Sequence, residues 1–273
     1  FSAGMTSKIK NEISSCDIME ISREFKKHNI ATDFKDNKVV AWCSYKTYQL
    51  YQDLVKKLNL NLSMPNQILV EDFDNLIYEG KNKNSAAVFI AEPIQIYKNS
   101  DKTCIGKTII FNAFQDRERY GYNSYWDNLD KHANKNYSQK FVPTDFFMDD
   151  FIHEFAHNLH HENMKKGKTS EEYINLINNS FSDKNRNVFE NQYKQLIKSK
   201  LGSYASNSFI EAIGCDLTQR IVQNIDGDNL VLKNSICKNN PYKEMSSFSE
   251  RMFMKFANKY DKMIRRFWNG EYK

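Results

Sequence analysis

Phe151-Ile152-His153-Glu154-Phe155-Ala156-His157 is the stretch on which the reading of this chain turns. It carries H-E-x-x-H within an apolar-periodic run over 146–159. Residues four apart share one face of a helix, with Cβ atoms about 5–6 Å apart. Two neutral imidazoles placed there can both reach one Zn²⁺ at about 2.0–2.1 Å. Glu154, beside the first imidazole, can hold and deprotonate a water that the ion has acidified. Histidine is scarce, six in 273 residues, so composition alone does not lead one to expect the pairing. Phe151, Ile152, Phe155, Ala156 and Leu159 form an apolar face beside the histidines. The pattern predicts a helix buried on one side and presenting ligands to a cleft on the other.

Upstream, Ile9, Ile13, Cys16, Met19 or Ile21, and Phe25 recur at spacings near three and four and predict one amphipathic helix over 7–27. Val39 to Trp42 reads as a strand or turn, and Ser44 opens a tyrosine-rich helix to Leu58. Ile68-Leu69-Val70 fits either a strand or a first helical turn. A turn-rich loop over 79–85 precedes β-rich runs at 87–90, 94–97 and 108–111, interrupted by Pro93. The stretch 120–139 reads as a long loop with one helical turn near Trp126. Pro143-Thr144-Asp145 then opens the motif helix, with Thr144 or Asp145 as its cap. Downstream, helices are predicted over 169–179, 187–200, 206–223 and 244–267, with Gly202 as a break and 226–228 as a turn before a short apolar run at 230–232. The expected class is α+β, mainly helical, with a small mixed sheet packed on the motif helix. Two regions are expected within one continuous unit: a mainly helical 7–80 packed on a catalytic 81–273.

Composition removes several classes of function. An apolar fraction of 40% and an aromatic fraction of 14% argue for a folded chain. The net charge of +5 is spread among interleaved acids and bases, so no nucleic-acid partner is indicated. No run of 18 apolar residues occurs, so membrane insertion is not expected. The opening Phe1-Ser2-Ala3-Gly4-Met5 has no signal-peptide character and is left out of the fold reading. Five dispersed cysteines (Cys16, Cys43, Cys104, Cys215, Cys237) lack C-x-x-C spacing and read as free thiols.

Two histidines do not complete a catalytic zinc site, which ordinarily takes a third protein ligand. The H-E-x-x-H-x-x-G-x-x-H completion fails, because His160 stands at the glycine position and Asn163 at the last histidine. His160 and His161 continue the helix face but cannot wrap round the same ion. Downstream carboxylates are Glu171, Glu172, Glu190, Glu211, Glu244 and Glu250. Glu171 and Glu172 suit a capping role. Glu190 lies in a polar segment. Glu211 stands in apolar Phe209-Ile210-Glu211-Ala212-Ile213-Gly214-Cys215, where an acid is costly to bury unless paired or metal-bound. That favours Glu211, with Glu190 as the alternative.

Phe151–His157 followed by Ser203-Tyr204-Ala205-Ser206-Asn207-Ser208-Phe209-Ile210-Glu211-Ala212 resembles the anthrax lethal factor family of metalloproteases, which includes the secreted Pro-Pro endopeptidases of clostridia. The likeness covers about the last 120 residues. It implies a zincin-like domain of gluzincin type, with His153, His157 and Glu211 as zinc ligands and Glu154 as general base. It further implies that the Tyr204 hydroxyl steadies the tetrahedral intermediate. A zinc endopeptidase acting on a protein or peptide substrate follows, as a toxin or effector secreted or delivered into a host cell. The family's second acid, four residues after the glutamate ligand, is here Cys215, and Asp216 is the candidate partner for a ligand histidine. Two other readings stand beside this one: a zinc peptidase of a different H-E-x-x-H family using Glu190, and a catalytically inactive binding domain of a toxin or effector.

Overall fold

The computed structural model describes residues 5–58, 64–77, 85–113, 125–163, 194–195, 197–199, 201–223 and 225. Expectations for 79–84, 120–124, 169–179, 187–193, 226–228, 230–232 and 244–267 lie outside these residues, as do Glu190 and Cys237.

The predicted first helix is two: α1 (Ser7–Ser15) and α2 (Ile18–Lys27). The apolar period runs through the break, and capping chemistry interrupts it. Cys16 is extended, and the Asp17 carboxylate accepts hydrogen bonds from the amides of Met19 and Glu20. An Asp satisfying two amides at a helix start outweighs a continuous hydrophobic stripe. The reverse correction applies to Val39–Trp42, which lies inside α3 (Lys38–Leu58). The Asn37 side chain accepts from the Val40 amide at 3.0 Å, so the helix starts six residues before Ser44.

Six strands follow the helical start in part: β1 (Ala31–Asp33), β2 (Gln67–Glu71), β3 (Ala87–Ile90), β4 (Ile94–Gln95), β5 (Thr103–Cys104) and β6 (Thr108–Asn112). Ile68-Leu69-Val70 is therefore strand. The main sheet has the order β1-β2-β6-β3, parallel at β1/β2 and β2/β6 and antiparallel at β3/β6. Strands from 7–80 and from 81–273 thus lie side by side in one sheet, joined at β2/β6. Alternation sorts its side chains to two faces. Ile68, Val70, Ile109 and Phe111 join the large core under the helices. Leu69, Ile90 and Ile110 join a smaller cluster with Phe73, Leu76, Ile96 and Cys104. With both faces covered, the central strands read as unbroken apolar runs. The expected strand at 94–97 is shorter. Ile94–Gln95 pairs with Thr103–Cys104 in a separate two-stranded ribbon, and Tyr97 makes an isolated antiparallel bridge to Leu76.

The long loop expected over 120–139 holds a short 3-10 turn (Trp126–Asn128) and a full helix, α4 (Leu129–Ser138). Trp126 is buried and its indole N–H donates to the Asn112 carbonyl at 2.9 Å. Leu129, His132 and Ala133 form the buried stripe of α4. The motif helix is α5 (Asp149–Asn163), and a second long helix, α6 (Phe209–Gln223), packs along it. Helical backbone also occurs between 194 and 201. The chain is α+β with a small mixed sheet. Among the described residues no helix is long and apolar enough to cross a membrane. Cys16, Cys43, Cys104 and Cys215 are free thiols.

Candidate metal centre

Helix α5 begins later than its sequence cap suggests. Phe146 to Met148 precede it as buried turn residues, and Thr144 donates through its hydroxyl to the Asp149 carboxylate at 2.9 Å. Thr144 thus holds the first helical side chain and does not cap an amide. The apolar face then anchors the helix. Phe151 stacks on Phe111 of β6 with ring centroids 4.7 Å apart, and Phe155 lies 5.5 Å from Tyr51 of α3. Burying each such ring contributes about 2–3 kcal/mol. The Tyr51 hydroxyl donates to the Ile152 carbonyl at 2.8 Å, tying α3 to the residue before the first histidine. One face is thereby fixed, and His153 and His157 must point along the other.

Helix α6 is brought opposite by a compact turn. Gly202 has φ +96°, a conformation that favours glycine, and ends the preceding helical residues. The amides of Ser203 and Tyr204 then donate to the carbonyls of Lys140 and Phe141 at 2.9 and 3.1 Å. Ala205–Asn207 forms a 3-10 turn, and Ser208 accepts from the Glu211 amide at 3.2 Å as the side-chain cap of α6. The helix expected from 206 therefore starts at Phe209, and Glu211 sits in its first turn.

These two anchors make donors from distant segments converge. Glu211 Oε2 lies 2.7 Å from His153 Nε2 and 3.5 Å from His157 Nε2. One ligand atom from each of the three residues lies within 4.8 Å of the other two. Bonds of about 2.0–2.1 Å to a tetrahedral ion place neighbouring ligand atoms roughly 3.3 Å apart, so these residues fit one metal ion with small adjustments. Two imidazoles and a carboxylate also suit a borderline-soft divalent cation. The His153 and His157 side chains are about nine-tenths buried, while Glu211 is 23% exposed, so the cluster opens on its carboxylate side.

Electrostatics follow from this crowding. Burial opposes charge on His153, but contact with Cys215 and Glu211 outweighs it and raises the imidazole well above its ordinary range. Burial likewise opposes charge on Glu211, yet the two imidazoles hold its carboxyl far below normal. Both shifts favour opposite charges on the two partners, so a proton and a cation compete for His153 Nε2. Glu154 is pushed up by burial, then by Glu211 and Asp150, against the pull of the histidines. Tyr204, whose ring centroid is 5.7 Å from that of His153, is raised by burial and by Glu211 and Glu154. Its hydroxyl therefore keeps its proton and can donate.

His153, Glu154, His157, Tyr204 and Glu211 accordingly meet in one cleft. The neighbour of the outer nitrogen of His153 differs from expectation. Cys215 Sγ lies 3.9 Å from Nδ1, the place foreseen for Asp216, which is itself buried. His161 lies at the cleft rim, 3.8 Å from Glu92, and does not join the three donors. Gly214 was missed in the sequence: it lies directly against the His153 ring. A glycine inside an apolar helical run was its one legible signal. No protein-family model, curated protein or solved structure matches the chain.

Proposed function

We propose that this chain is a zinc-dependent endopeptidase of gluzincin type with a zincin-like fold, related to the lethal factor family and acting on a protein substrate as a secreted or host-delivered effector. The observation that carries the reading is the convergence of His153, His157 and Glu211 around one point with Glu154 beside them. Zinc is the ion this donor set favours, and when bound it supplies Lewis acidity and an acidified water.

The remaining work falls to the chain. Glu154 takes the proton of the attacking water and passes it to the leaving amine nitrogen. Burial pushes its carboxyl upward, which makes the carboxylate the stronger proton acceptor. The Tyr204 hydroxyl donates to the oxygen on which charge develops. Strand β3 is the edge of the main sheet and packs on α5. An extended peptide can add to such an edge and lie across the cleft.

The test is metal analysis combined with peptide cleavage. One equivalent of zinc, chelator-sensitive cleavage of a peptide library, and loss of cleavage in Glu154→Gln are the expected results. A folded, metal-free protein that takes up no zinc overturns the reading.

A further inference from the structure

Gly214 sits inside α6, where glycine is an unfavourable helix residue. No left-handed backbone angle requires it. The reason lies across the helix interface. A Cβ at this position would come within 2.6 Å of His153 Cε1 and 2.9 Å of each ring nitrogen. The backbone of α6 is therefore the floor on which the imidazole lies flat.

The edges of the ring are also taken. Cys215 Sγ stands 3.9 Å from Nδ1, and Glu211 Oε2 stands 2.7 Å from Nε2. The Tyr204 ring lies nearby, with centroids 5.7 Å apart. Among the described residues His157 has no comparable seat: its buried Nδ1 meets no hydrogen-bond partner there.

We infer that Gly214 and Cys215 are positioning residues that hold His153 in one ring orientation and tautomer, and so set the affinity of the centre for its metal ion. A sulfur acceptor beside Nδ1, though weak, favours the proton on that nitrogen, so that once Nε2 gives up its own proton its lone pair faces His157 and Glu211. The missing side chain at 214 does the larger share, because any Cβ tilts the ring away from that direction. The inference rests on the metal-site reading, though not on catalysis.

The contrast between the free and loaded states gives the test. In the metal-free Gly214→Ala protein the buried imidazole must shift off its contacts, which the better helix propensity of alanine offsets only in part. The melting temperature of the stripped variant should fall by a few degrees, with the fold retained. Zinc affinity, measured on the full chain by competition with a chromophoric chelator, should fall about 10–100-fold, as when the outer support of a metal ligand is lost. The rise in melting temperature on adding zinc should shrink accordingly. Cys215→Ala should weaken zinc by roughly 10-fold, while Cys215→Ser, which keeps an acceptor, should stay nearer the wild type.

A Gly214→Ala protein that binds zinc as tightly as a zinc-binding wild type overturns the seat and leaves the metal site standing. A wild type that binds no zinc overturns both. If Gly214→Ala does not fold, the Cys215 pair decides, and equal affinity in Ala, Ser and wild type overturns the inference.

Discussion

Helices α5 and α6 build the same centre by different means. Helix α5 carries two of the three candidate metal donors and the proposed base within five residues, and its opposite face is a stripe of large apolar side chains. Helix α6 carries one ligand, and what it adds around that ligand is smallness: Ala212, Gly214 and Cys215, all buried. The first helix supplies chemistry on a regular period. The second supplies fit. Substitutions on α5 should therefore abolish a reaction, while those on α6 should loosen a site.

The sharpest way to break this contrast is Glu154→Gln. It should lower kcat by about 10³-fold at nearly unchanged zinc content, which single-turnover cleavage and metal analysis would read together. Glu211→Ala should do the reverse, weakening zinc by more than ~10²-fold and losing cleavage only as the metal is lost, because it removes a ligand and not just its support. Full zinc retention in that variant would move the third ligand to Glu190. Tyr204→Phe comes next: kcat should drop by ~10²-fold with KM unchanged, the mark of a donor used in the transition state.

Two smaller effects probe what holds α5 in place. Tyr51→Phe removes the hydroxyl donated to the Ile152 carbonyl and should cost about 1 kcal/mol in denaturant unfolding, with zinc affinity falling in step. Asp149 is buried next to Asp150 and its carboxyl is pushed up to about 7 from an ordinary 3.8. A carboxyl raised on folding binds its proton more tightly in the native state. Its contribution is intact below the ordinary value and is lost as pH rises through 7. Asp149→Asn should therefore raise the melting temperature of the metal-free protein at pH 8 by roughly 2–6 °C, with a smaller gain at pH 5.

The same contrast explains how much could be read in advance. His153, Glu154 and His157 announce themselves because metal chemistry demands particular residue types at helical spacing. Glu211 was legible because an acid amid apolar neighbours needs a reason to be there. Gly214 and Cys215 were not, because fit leaves no periodic trace: each has meaning only against a ring 58 or more residues away. In the fold, apolar period located the long helices but misjudged their ends. Asp17 and Asn37 moved those ends through side-chain hydrogen bonds that carry no hydrophobic signal. Helix α4 was hidden for a related reason. Its buried stripe includes His132, which a polar–apolar pattern reads as surface.

The bond between Tyr51 and Ile152 joins residues 101 positions apart, and strands β2 and β6 pair residues 41 apart. Contacts of that range close late in folding, because the chain must first surrender the entropy of long loops. The pair His153 and His157 exists in any nascent helix, but Glu211 reaches it only after α3, α5, α6 and the sheet have assembled. A cation that needs all three donors is then a reporter of completed folding and not its seed. It should bind the unfolded chain poorly and act on the protein chiefly by slowing the way out of the native state.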